Sequence, residues 1–221
     1  MTPRAVAKKK RSDSGVPRER GRRTRERILR ATERLVSRKG SPEFTLAEVS
    51  RESRLSIGGI YRRFADKDAL MVALQERVYA RMLAEFTQVL ADANTRASAL
   101  DSQVATLVAG IANILKRHAA LLRIIVDATL TNEVVARNGQ EAFLTHLALF
   151  KAQLLKYRRS ITHERPEQAI DFCFNVVYEL IASHFAFGRR GTTLDGGWAA
   201  LVRNLQWFCI SFLTGGTRRT A

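Results

Sequence analysis

Between Thr45 and Leu70 the sequence TLAEVSRESRLSIGGIYRRFADKDAL concentrates groups that bind a polyanion. Arg51, Arg62 and Arg63 carry guanidinium forks that match phosphate oxygens and the acceptor edge of guanine. Thr45 and Tyr61 bring hydroxyls that donate to phosphate. Lys67 sits where a first helical turn leaves amides free, a ready anion site. Gly58 and Gly59 each cost about 1 kcal/mol relative to alanine in a helix. Their missing side chains let a backbone approach a groove floor. This is the chemistry of non-covalent DNA recognition. Arg51, Ile57, Gly58, Gly59 and Arg63 are the expected groove contacts. Thr45, Tyr61, Arg62 and Lys67 are the expected phosphate contacts, with Ser56 opening the reading helix. The ordinary alternatives are a frayed helix start, a half-buried tyrosine and a solvated lysine.

Three helices must hold these groups. Thr45 and Glu48 have the spacing of a capping box, and Leu46 and Val49 give the first helix an apolar face. Ser53-Arg54-Leu55 makes the turn. Ser56 caps the second helix, which Ile60 and Phe64 anchor to the core one turn apart. Asp66 caps a third helix beginning at Lys67. Upstream, Ile28, Leu29, Ala31, Thr32, Leu35 and Val36 predict a helix over 21–39, stopped by Gly40 and Pro42. Arg22, Arg23 and Arg25 at its start are placed to meet a DNA backbone.

The run S-I-G-G-I-Y-R-R-F-A-D-K-D-A-L resembles the TetR family of bacterial transcriptional regulators, whose pattern is approximately S-x-G-x-[LI]-Y-x-x-F-x-x-K-x-x-L. Ser56, Gly58, Ile60, Tyr61, Phe64, Lys67 and Leu70 fall on it, and Thr45 and Val49 fit upstream. The resemblance spans about Arg25 to Leu74. Such turns usually hold glycine where this chain has Arg54, so Arg54 either tolerates a left-handed conformation or sits in a different turn.

Charge agrees with a polyanion partner. Of a net +16, residues 1–67 carry 20 Lys/Arg against 8 Asp/Glu, and residues 68–221 carry 17 against 13. Residues 1–20 are basic and poor in apolar groups, and read as a disordered arm. That arm is either a passive tail or an added phosphate and minor-groove contact. No apolar stretch near the N-terminus suggests a secretory signal. The richest apolar run, Phe172 to Phe187, is interrupted by Asn175, Glu179 and His184, so a cytoplasmic protein is expected. Cys173 and Cys209 lie in apolar helical segments and read as buried free thiols.

The fold class expected is all-α. Residues 21–66 form a three-helix, helix-turn-helix head. A long helix from Lys67 joins it to a helical regulatory and dimerisation domain over 67–215, with helices near 98–117, 119–131, 134–158, 166–187 and 197–213. The last two are apolar nearly all round, which demands burial. A homodimer interface at Cys173, Val177, Ile181, Trp198, Leu201, Leu205, Phe208 and Phe212 meets that demand; a deep monomer core is the alternative. A two-fold dimer presents two heads to a roughly palindromic operator. The family resemblance implies the same dimer, and also a small molecule bound in the second domain that shifts the heads apart. Phe143, His146, Phe150, Tyr178, Glu179 and His184 combine apolar bodies with polar handles and are the expected cavity wall.

The reading is a sequence-specific transcriptional regulator, a repressor released by a small-molecule effector, with no cofactor. A non-sequence-specific DNA-coating protein would explain the charge but neither the complete reading motif nor the large apolar domain. No H-E-x-x-H, C-x-x-C, G-x-S-x-G or phosphate-cradling glycine loop is present, which argues against an enzyme and against a metal site.

Overall fold

The computed structural model describes residues 15–96, 99–186 and 197–215. These form α1 (Gly15–Lys39), α2 (Leu46–Ser53), α3 (Ile57–Tyr61), α4 (Lys67–Arg96), α5 (Leu100–Thr129), α6 (Glu133–Leu155), α7 (Pro166–Ala186) and α8 (Gly197–Thr214), with a 3-10 turn at Arg158–Ser160. The all-α expectation holds for them.

In α1 the six residues expected on one face, Ile28 through Val36, are all buried. Gly40 ends the helix at φ +66, its N–H returning to the Val36 carbonyl at 2.8 Å. Glycine suits this left-handed cap. The helix starts earlier than its apolar pattern shows, so residues 15–20 are helical and only 1–14 of the expected arm lie outside the described residues. Glu19 pairs with Arg22 and Arg23, each at 3.0 Å, one turn along. Such pairs support a solvated turn that has no apolar face to bury.

α4 runs from the head into the second domain, burying Leu70, Leu74, Val78 and Phe86 completely. Arg77 bonds Glu26 and Glu33 of α1, and Arg81 reaches Glu33 at 2.8 Å. The buried apolar residues form one continuous cluster from Ile28 to Leu213, with no gap at Lys67. α5 occupies the centre, against α4, α6, α7 and α8. A Cβ at Gly110 would come within 2.5 Å of Val89 Cγ1, so glycine permits the close α4–α5 crossing.

Three expectations are corrected. The break near residue 118 does not occur: α5 is continuous, and His118 is buried and bonded to Glu85 of α4 at 2.9 Å. No glycine or proline lies between Ile111 and Thr129, and one polar turn paired across the interface does not stop a helix. α6 ends at Leu155, and the chain leaves it through the 3-10 turn. Among the described residues, α5 rather than the run beginning at Phe172 is the helix long and apolar enough to cross a membrane, although half of its most apolar window is buried inside the protein.

The residues expected at a dimer interface also divide. Cys173, Val177, Ile181, Leu201 and Leu205 are buried within the single chain. Trp198, Phe208 and Phe212 are only partly buried. When a helix is apolar all round, its pattern does not say which side turns inward. The side left outward carries Phe172 and Leu180 on α7 and Trp207 on α8, the last 71% exposed. Cys173 and Cys209 are buried free thiols.

Candidate nucleic-acid interface

The reading element is assembled by caps. Thr45 Oγ1 accepts the Glu48 N–H at 3.2 Å, and the Glu48 carboxylate accepts the Thr45 N–H at 2.8 Å, closing the box over α2. An ion pair with Lys39 at 2.7 Å and the Thr45 N–H hold the Glu48 carboxyl down at about 2. Arg54 takes φ 53 and ψ 42, so the non-glycine residue does adopt the left-handed turn. Arg27 of α1 donates to its carbonyl at 3.2 Å, and Ser50 Oγ donates to the Leu55 carbonyl at 2.6 Å. Ser56 Oγ accepts the Gly59 N–H at 3.2 Å, and Asp66 accepts the Ala69 N–H at 2.7 Å.

α3 is five residues long and has one buried anchor, Ile60; Phe64 is the second, just beyond it. Ile57 and Tyr61 stand outward at 45% and 54% exposure, unusual for large apolar side chains without a partner. Arg51, Ser56, Gly58, Arg62 and Lys67 are exposed with them. The two glycines differ. A Cβ at Gly58 would meet nothing within 4 Å, so the outer surface of α3 is open there. A Cβ at Gly59 would press on the capping Ser56 Oγ at 3.2 Å, so this glycine serves the cap. Arg63 is half-buried, its guanidinium donating to the Gly59 carbonyl at 3.2 Å.

Two clefts rich in basic groups lie in the head, each also lined by two glutamates. One, of about 500 Å³, brings Thr45, Arg51 and Lys67 together with Lys39. Lys67 Nζ sits 5.3 Å from the Phe44 ring centroid, a cation–π contact that holds it at the α4 N-terminus. The other, of about 580 Å³, is lined by Arg23, Arg27, Arg30, Arg34 and Arg54. Of these, only Arg23 is expected from the sequence to meet a DNA backbone, and Arg54 is expected only as a turn residue. Yet the four α1 arginines recur at intervals of four, three and four residues, which is one helix face. Glu26 and Glu52 line the same cleft and pair with Arg30 at 2.8 Å and Arg34 at 3.0 Å.

The second domain holds two adjoining cavities. An outer cleft of about 290 Å³ lies between α5 and α7, with Arg123 and Glu179 in its wall. An inner cavity of about 20 Å³ is lined by Phe86, Phe143, His146 and Phe174. Tyr79, Leu115 and Tyr178 border both. Burial pushes the Tyr178 phenol up to about 12 and raises Tyr79 as well, so both hydroxyls keep their protons. Phe143, His146 and Tyr178 are thus brought together, and Glu179 joins at the outer cleft. Phe150 lies in the core against Phe174, with ring centroids 5.4 Å apart, and His184 packs on Trp198 at 5.7 Å; neither lines these two cavities. Arg123 also reaches the head, donating to the Gly40 carbonyl at 3.5 Å.

A model of the family described as "Bacterial regulatory proteins, tetR family" matches residues 28–74. No curated protein matches the chain. Solved structures share its fold across nearly their whole length. A candidate TetR-family transcriptional regulator from Mesorhizobium loti aligns with a TM-score of 0.69 at 19% identity, over 89% of this chain and 98% of that one. GusR of Salmonella enterica gives 0.62 at 21% identity, over 86% and 95%. The transcriptional regulator FadR of Bacillus subtilis, in complex with stearoyl-CoA, gives 0.64 at 14% identity, over 85% and 98%.

Proposed function

We propose, from the match of residues 28–74 to the tetR family model and from the shared fold, that the chain is a DNA-binding transcriptional regulator of that family, a dimeric repressor that leaves its operator when a small molecule enters the second domain. The observation that carries this is α3. A five-residue helix spends one anchor on the core and leaves Ile57, Gly58, Tyr61 and the C-capping Arg62 exposed, in a head whose clefts are rich in arginine and lysine. A helix with so little of its own to bury is stable only as part of the head, and its exposed side fits a major groove.

In this reading Ile57, Gly58 and Gly59 approach the groove floor, and Arg51 and Arg63 read base edges. Arg63 must first release the Gly59 carbonyl. Thr45, Tyr61, Arg62 and Lys67 hold the phosphates on one side, and Arg23, Arg27 and Arg54 those on the other. The dimer forms on the outward side of α7 and α8, where Phe172, Leu180 and Trp207 bury one another's exposure across a two-fold axis. The effector occupies the cleft between α5 and α7. FadR of Bacillus subtilis, which carries stearoyl-CoA, supports ligand binding by this fold. Movement reaches the head through α4, which Arg77 and Arg81 tie to α1, and through the Arg123 contact with Gly40.

Selection of bound duplexes from a random library tests the reading. A two-fold symmetric consensus is expected. Tight, salt-sensitive binding that enriches no sequence would replace the repressor with a DNA-coating protein.

A further inference from the structure

His146 stands one turn after Ala142 on α6, and its Nδ1 lies 2.7 Å from the Ala142 carbonyl oxygen. A carbonyl only accepts, so the ring proton is on Nδ1. In the neutral imidazole this leaves Nε2 as a bare acceptor. Nε2 is fully buried and has no hydrogen-bond partner in the protein. The ring lines the inner cavity and packs on Phe86 at 5.6 Å between centroids. Its neighbours there are otherwise mostly apolar: Met82, Ile111, Ile114, Phe143 and Phe174. A buried acceptor in such a wall is costly unless something donates to it. Tyr79 and Tyr178 line both this cavity and the outer cleft. Tyr79 already accepts from Gln75 Nε2 at 3.3 Å.

We infer that the effector places a hydrogen-bond donor, a hydroxyl or N–H on an otherwise apolar group, against His146 Nε2. The inference rests on the effector reading above. The inner cavity, about 20 Å³, has room for about one water. An effector that widens it must reproduce any bond that water makes, or lose affinity. A bare hydrocarbon end, such as the tail of a saturated acyl chain, brings no donor. A phenol-like end does.

Matched compounds that exchange a hydroxyl for a methyl of similar size test this without altering the protein. The pairs are phenol and toluene, para-ethylphenol and para-ethyltoluene, and β-naphthol and β-methylnaphthalene, titrated calorimetrically into the full-length protein. In at least one pair the hydroxyl compound should bind roughly tenfold to a hundredfold tighter. His146→Leu, with its fold checked by circular dichroism, should bring that ratio close to one while the methyl compound keeps its affinity. Equal binding within every pair overturns the inference. So does a ratio that survives in His146→Leu, or binding by none of the six compounds. Release of a selected operator by stearoyl-CoA, equally from wild type and His146→Leu, overturns it while sustaining the effector reading. Selective phenol binding through His146 that never releases the operator sustains the contact and removes the effector role.

Discussion

In the head, α2 and α3 bury Leu46, Val49, Ser53 and Ile60 out of thirteen residues, whereas α5 alone buries fourteen of its thirty. The head is therefore shaped by local devices: a capping box, a left-handed turn, two further caps and ion pairs to α1. The second domain is shaped by apolar packing over long distances. A surface that must meet DNA keeps its polar groups outward and uses backbone bonds to fix their angle. A domain that encloses a small molecule, as proposed, needs facing helices and tolerates few polar groups inside. Damage to one region should consequently be read in DNA binding, and damage to the other in stability.

The contrast is broken most severely at Phe150, which is completely buried. Phe150→Ala should cost about 3–5 kcal/mol of unfolding free energy. Its DNA preference, measured on whatever fraction stays folded, should be unchanged. Gly110→Ala sets a methyl against Val89 and should cost about 1–3 kcal/mol by denaturant titration; a neutral result would mean that α4 and α5 separate freely. Lys67→Ala inverts the pattern. Affinity should fall on operator and random duplexes alike, and the salt slope should shrink by about one ion, with little change in stability. An unaltered slope would remove Lys67 from the phosphate contacts. Arg54→Gly relieves a left-handed conformation that costs a side-chain-bearing residue roughly 1–2 kcal/mol. A smaller net gain is expected in thermal melts, because glycine also loosens the unfolded chain. The finest test uses Glu48, whose folded carboxyl is depressed to about 2 from an ordinary value of 4.5. A depressed acid stabilises above its unfolded value and loses that contribution as pH falls toward the folded one. The stability gap between wild type and Glu48→Gln should thus be full above about pH 5 and close progressively toward pH 2.

What could be read from the sequence follows the same division. Thr45 with Glu48, Ser56 and Asp66 act within three residues of themselves, so their spacing alone showed where each helix begins. The arginine face of α1 is equally readable from its intervals of four, three and four residues, although it lies outside the recognition motif. In α7 and α8 apolar residues occupy nearly every position. The rotation that buries Cys173 and Leu205 while exposing Phe172 and Trp207 depends on where α5 sits, and that is a tertiary fact. The same dependence separated Phe143, His146 and Tyr178, which share a cavity, from Phe150 and His184, which do not.

The apolar cluster that runs without a gap from α1 through α4 into α5 and beyond has a thermodynamic corollary. Head and second domain share side chains such as Leu70, Leu74 and Val78, so neither can melt and leave the other's interior intact. Heating should produce one cooperative transition, and a molecule that binds only the folded second domain should raise the melting temperature of the DNA-reading helices by the same amount.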